Sequence, residues 1–241
     1  MTQTTQTTSL SFFRFAGVGA RAWALTQMAF ARPAMARLPH AGFWKLFGSG
    51  TGEGFTPLPN TAVYGIMATW ESADLARRTV ETAPVFARYR KRAAEHWTVY
   101  LQTTSSRGAW DGRDPFTIAG NARPGALAAL TRATIKPKIM MQFWRRVPSI
   151  SAAIGADPNV AFKIGLGEIP WFHQVTFSIW PDTQAMAAFA RRDGPHAHAI
   201  RAVREGQWFA EELYARFQIV GASGTWEGGC PLAHLEEAHP A

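Results

Sequence analysis

The sequence predicts an α+β fold: two tandem ferredoxin-like βαββαβ repeats forming a dimeric-α/β-barrel-like body. Three observations carry this. First, landmarks recur in one order: Trp70 and Trp180 end similar apolar runs 110 residues apart, Pro84 and Trp97 recur as Pro195 and Trp208 at 111, and Trp110 recurs as Trp226 at 116. Gly50 and Glu53 have counterparts in Gly165 and Glu168. Anchors repeated in register mark a duplication. Second, each half alternates strand-like and helix-like runs in the order strand, helix, strand, strand, helix, strand. Third, 241 residues are enough for two such units around a substantial core.

The first repeat covers 9–115. SLSFFRF reads as a strand, Ala20 to Ala36 as a helix, and FWKLFGSG and TAVYGIMATW as strands around a glycine turn. Ser72 is an N-cap for a helix running from Asp74 to about Glu95, and VYLQTTS closes the unit. The polar, proline- and glycine-bearing stretch 116–133 reads as the linker. The second repeat, 134–228, follows with IMMQFWRR as its first strand, a helix near Ser149, strands VAFKIG and QVTFSIW, two helical pieces and ARFQIVG. Residues 1–8 and 229–241 are tails.

Composition narrows the function. A formal charge of +8 favours anionic partners, and Arg88, Arg90, Lys91 and Arg92 cluster. No nucleic-acid motif accompanies them, so nucleic acid is not expected. Aromatic residues make up 12% of the chain, which suits a bulky core or a large flat ligand. Cys230 is the one cysteine, so no internal disulfide forms, and it reads as an inactive surface thiol. No apolar run reaches the length of a spanning helix, and MTQTTQTT lacks the features of a signal peptide. The expected location is cytoplasmic, with peripheral contact to the inner or photosynthetic membrane through the Arg88 cluster and the nearby aromatics Phe86, Tyr89 and Trp97. Self-association into a homo-oligomer is open.

The glycine-rich stretches GSGTGEGF and GLGEIPW do not open a helix, so they are turns between strands and not dinucleotide loops. GPHAHAIRAVREGQWF is more informative. With Pro195 in the first helical turn, Ile200, Val203 and Ala199 share a face with His196, whereas His198 lies beside Arg201 and Glu205. His196 therefore faces in and His198 faces out. At the 111-residue offset His196 replaces Val85 of the first repeat. A buried imidazole needs a partner, either a core hydrogen bond or a metal. The remaining histidines show no zinc spacing. Haem needs one axial side chain and an aromatic pocket, which keeps it open.

SFFRFAG, KLFGSGTGEGFTPLPN, LTRATIK, FKIGLGE, QVTFSIWPD, GPHAHAIRAVR and ELYARFQIVG together resemble the acyclic carotenoid 2-ketolases, or spheroidene monooxygenases, of purple phototrophic bacteria. The resemblance runs from Leu10 to Gly228. It implies a haem b monooxygenase in carotenoid biosynthesis that uses dioxygen and reduced ferredoxin. The expected reaction places a keto group at C-2 of acyclic carotenoids such as spheroidene, by two hydroxylations of one carbon and loss of water. In that family's pattern the first histidine of GPHAHA is matched. His196 is thus the implied axial ligand, with His198 the second choice, while His173 stands where a glutamine is usual. Lys45 and Lys163, in FWKLF and FKIG, are distal candidates that could donate a hydrogen bond to iron-bound oxygen or simply extend to the surface. The competing class is a non-catalytic haem- or polyene-binding protein of the same fold.

Overall fold

Eight strands with inward-facing apolar residues at alternate positions close into an antiparallel barrel. A computed structural model describes residues 5–52, 56–120, 123–145, 159–191, 206–233 and 235. The strands are β1 (Thr7–Arg14), β2 (Trp44–Gly50), β3 (Pro59–Trp70), β4 (Glu95–Gly108), β5 (Leu127–Ile135), β6 (Phe162–Gly167), β7 (His173–Trp180) and β8 (Phe209–Gly224). Around the barrel they run β1-β3-β2-β6-β7-β5-β8-β4. The first half therefore reads β4-β1-β3-β2 and the second β8-β5-β7-β6, the same order twice. The halves join edge to edge, at a short β2–β6 seam (Gly48 opposite Gly167) and a long β4–β8 seam from Trp97 opposite Gly224 to Gly108 opposite Leu213. Closure removes the open edges that two separate sheets would expose.

Helices lie outside the barrel. Among the described residues they include α1 (Val18–Phe30), α2 (Arg32–Ala36), α3 (Ala73–Thr82), α4 (Pro84–Arg92) and α5 (Thr183–Arg191). Ser72 caps α3 as the sequence predicts, its hydroxyl accepting the Leu75 amide at 3.3 Å. The expected helix from Asp74 to Glu95 is in fact two. Pro84 forces Ala83 into an extended conformation (ψ 136°), and Glu95 already belongs to β4.

Two further boundaries differ from expectation. The end of the stretch read as a linker, 116–133, is strand: β5 begins at Leu127 and runs to Ile135, and Ala128, Leu130 and Arg132 alternate inward. IMMQFWRR is not a strand. A 3-10 turn at Pro137–Ile139 leads into a helical turn at 140–145, because the proline removes a ladder donor just past the strand end. The aromatics expected as membrane anchors beside the Arg88 cluster are also internal. Phe86 and Tyr89 pack against the sheet, and Trp97 faces the barrel interior. An amphipathic helix turns its aromatics to the core and leaves the arginines outside, so the α4 cluster does not supply those anchors.

Candidate functional site

Alternation along each strand gives the barrel wall two faces with different contents. The inner face is packed by Phe12, Trp97, Phe162, Phe177 and Trp226, whose rings lie 4.8–6.4 Å apart. These rings fill the middle of the barrel and position the charged groups at its two mouths.

At the mouth formed by the start of β2 and the end of β5, inward positions carry charges. Lys45 Nζ lies 2.6 Å from both Asp111 Oδ2 and Glu168 Oε2. Glu168 also accepts the Trp110 indole N–H at 2.8 Å. Arg132, only 1% exposed, pairs with Glu211. Charges buried this far survive only when paired, because isolated burial costs several kcal/mol per ion. Burial raises the Glu211 pKa, but the Gly112 amide, the Arg132 guanidinium and the Asp111 amide outweigh it and hold the carboxyl below its ordinary value. His173 faces the same cluster. Burial lowers its pKa, more than Glu168 raises it, so the ring is neutral at pH 7, and its buried Nδ1 lacks a hydrogen-bond partner.

The opposite mouth repeats the scheme 116 residues away. The Gly112 amide donates to Glu211 at 2.7 Å, and the Gly228 amide donates to Glu95 at 2.8 Å. Asp111 and Glu227 both take left-handed backbone (φ 55° and 57°) to turn those amides inward. Arg14 stacks 4.5 Å over Trp226 and pairs with Glu227. This mouth is open: a cleft of about 420 Å³ is lined by residues that include Arg14, Asn60, Phe162, Lys163 and Trp226.

The outer faces of the two half-sheets differ most. The strand registers match residues of one half to counterparts in the other. Phe13 opposite Tyr64 becomes Ala133 opposite Gln174. Leu46 opposite Ile66 becomes Gly165 opposite Thr176. Trp44 opposite Ala68 becomes Lys163 opposite Ser178. The bulky set of the first half is buried under α1–α4, apart from the half-buried Trp44. The second half carries small or polar side chains instead, and Ala129, Thr131, Gln174, Thr176 and Lys163 remain half-buried. The result is a flat floor with hydroxyls along it and a cation at its edge.

The sequence-derived candidates separate on this geometry. Lys45 points into the barrel and is held by two carboxylates, whereas Lys163 points to the outer floor where it meets the open cleft. His196 and His198 lie outside the described residues. Val85, the sequence counterpart of His196, lies on the inward side of α4 and is buried against the first half-sheet. Cys230 is exposed, as expected. The charged mouth was not anticipated, although an arginine at an inward position of LAALTRATI signals it. Among the described residues, no group of three or more metal-binding side chains occurs.

No family model matches the chain. Among solved structures, two aldoxime dehydratases are similar, one in complex with butyraldoxime (TM-score 0.63, 8% identity, 98% of this chain and 87% of that one) and one with TM-score 0.61 (9% identity, 91% and 83%). At such identities the likeness shows the fold alone. Sequence comparison is closer. The spheroidene monooxygenase of Cereibacter sphaeroides is 51% identical, covering 98% of this chain and 74% of the relative, and that of Rhodobacter capsulatus is 52% identical over 93% and 95%. The Rubrivivax gelatinosus enzyme of the same name is 33% identical over 79% and 73%. With that identity sustained along nearly the whole chain, the protein belongs to the spheroidene monooxygenase family.

Proposed function

We propose that the chain is a haem b-dependent monooxygenase that places a keto group at C-2 of acyclic carotenoids such as spheroidene. Dioxygen and reduced ferredoxin are its co-substrates. The observation that supports this best is the outer floor of the second half-sheet. There Ala133, Gly165 and Thr176 stand where the first half uses Phe13, Leu46 and Ile66, a loss of bulk that suits a flat, largely apolar macrocycle lying on the strands.

His196 would hold the group through its imidazole. Its counterpart Val85 is buried against the equivalent face of the first half, which is the direction a ligand over this floor requires. When bound, haem supplies oxygen activation. The chain's own residues do the rest. Lys163 stands opposite Ser178 and can offer a hydrogen bond from Nζ to an oxygen atom above the floor. Thr131 and Thr176 offer hydroxyls along the same surface. Two hydroxylations of one methylene give a gem-diol, and its loss of water gives the ketone. The same reading takes the two halves as tandem ferredoxin-like repeats, supported by their common strand order and the mirrored glycine–glutamate contacts.

Purified protein incubated with spheroidene, dioxygen, ferredoxin and its reductase tests the reading. The enzyme yields spheroidenone. A haem or polyene carrier of the same fold returns spheroidene unchanged, and that result would refute the proposal.

A further inference from the structure

Three of the apolar side chains most open to solvent among the described residues belong to one helix. Val18 is 86% exposed, Leu25 58% and Phe30 73%, all on α1. Helical spacing lines Val18, Ala22, Leu25 and Ala29 along one strip, with Phe30 and Thr26 to one side and Arg21 to the other. The opposite side, with Ala24 and Gln27, packs on the barrel. A helix in water normally presents polar residues outward, and this one presents an aliphatic strip.

The surrounding charge has one sign. The first 52 residues contain Arg14, Arg21, Arg32, Arg37 and Lys45 and no acidic residue at all. Arg21 and Arg32 donate to the backbone carbonyls of Phe15 and Met28, which fixes them beside the strip without neutralising them. Among the described residues no carboxylate pairs with Arg21, Arg32 or Arg37. Arg92 stacks 4.5 Å over Trp23 and adds a further cation to the same side of the molecule.

We infer that α1 and α2 form a docking face for an anionic lipid bilayer, with Val18, Leu25 and Phe30 entering the interface and Arg21, Arg32 and Arg37 meeting lipid phosphates. Charge complementarity selects this occupant. A second copy of the chain docked strip to strip would bring unpaired arginines together, which like-charge repulsion opposes. The inference does not depend on the reaction proposed above, because it concerns the protein without substrate.

Co-sedimentation of the full chain with vesicles tests it. Phosphatidylcholine vesicles containing phosphatidylglycerol are compared with phosphatidylcholine alone, at low and at high salt. Binding is expected for the anionic vesicles at low salt and should be lost in high salt. L25Q/F30Q and R32Q/R37Q should each weaken binding about ten-fold or more at unchanged melting temperature, since Leu25, Phe30, Arg32 and Arg37 are exposed and Arg32 makes only an exposed contact to Met28. R88Q/K91Q on α4 should leave binding within about two-fold. Indifference to lipid charge, or unchanged binding by both strip variants, overturns the inference. So does a dimer in sedimentation velocity that L25Q/F30Q dissociates while the wild type ignores vesicles, which would assign the strip to a second copy.

Discussion

Ala133 on β5 occupies the place in the second half-sheet that Phe13 on β1 occupies in the first, each facing a β-strand neighbour at the same register: Gln174 and Tyr64. One half closes its outer face with an aromatic pair, and the other leaves a methyl and an amide. Restoring the bulk should therefore abolish what the floor is proposed to hold. T176I copies Ile66, a residue the fold already tolerates at that position in the other half. Its haem content should fall several-fold while its far-ultraviolet circular dichroism stays unchanged. Normal haem content in T176I would remove the floor from the account.

The charged mouth predicts a stability effect with no counterpart on the surface. K45M leaves Glu168, whose side chain is 7% exposed, without its closest cation. Removing one partner of a buried pair costs about 3–5 kcal/mol. Urea titration should show a loss of that order. D74N, which removes only the exposed pairing with Arg77 on α3, should cost about 1 kcal/mol or less.

Stability should fall with acid in two stages, with the sign set by the direction of each shift. His173 and His96 both have pKa values held below the ordinary histidine value, by burial first. As pH falls through about 6.5 the unfolded chain takes up protons that the fold refuses, so stability declines until the folded values are reached. The Glu211 carboxyl is also held low. Its contribution is present above about pH 4.3, the ordinary carboxyl value, and is lost as pH falls through the folded value beneath it. In urea midpoints measured from pH 8 to 3, H173Q should flatten part of the upper stage, with His96 keeping the remainder, and leave the lower stage intact. An unchanged upper stage would show that His173 is not held neutral.

Much of the barrel was legible because repeated landmarks and strand alternation are local signals. The recurrence of Trp110 as Trp226 located the matching turns, and SLSFFRF and QVTFSIW alternate plainly. The β5 strand was not legible as such. LAALTRATI contains few bulky residues, since its outer positions belong to the stripped floor, and so it read as part of a linker. The charged mouth was hidden for a different reason. Lys45, Asp111, Glu168 and Glu211 are far apart in sequence and meet only when the β2–β6 and β4–β8 seams close the barrel. Lys45 and Lys163 looked alike as strand lysines, and only the register shows that one faces in and the other out.

That difference separates their variants. K163M, on the outer floor beside Ser178, should lower turnover several-fold with little change in stability or haem content, and turnover is measured as spheroidenone formed per haem. K45M should lose stability first. Normal turnover in K163M would withdraw Lys163 from the chemistry.

Haem content per chain, measured on purified H196A and H198A beside the wild type, bears most directly on the central proposal that His196 holds haem over the second half-sheet. H196A should lose most of its haem and its Soret band, with H198A close to wild type. Full retention of haem by H196A, or loss confined to H198A, would contradict the account.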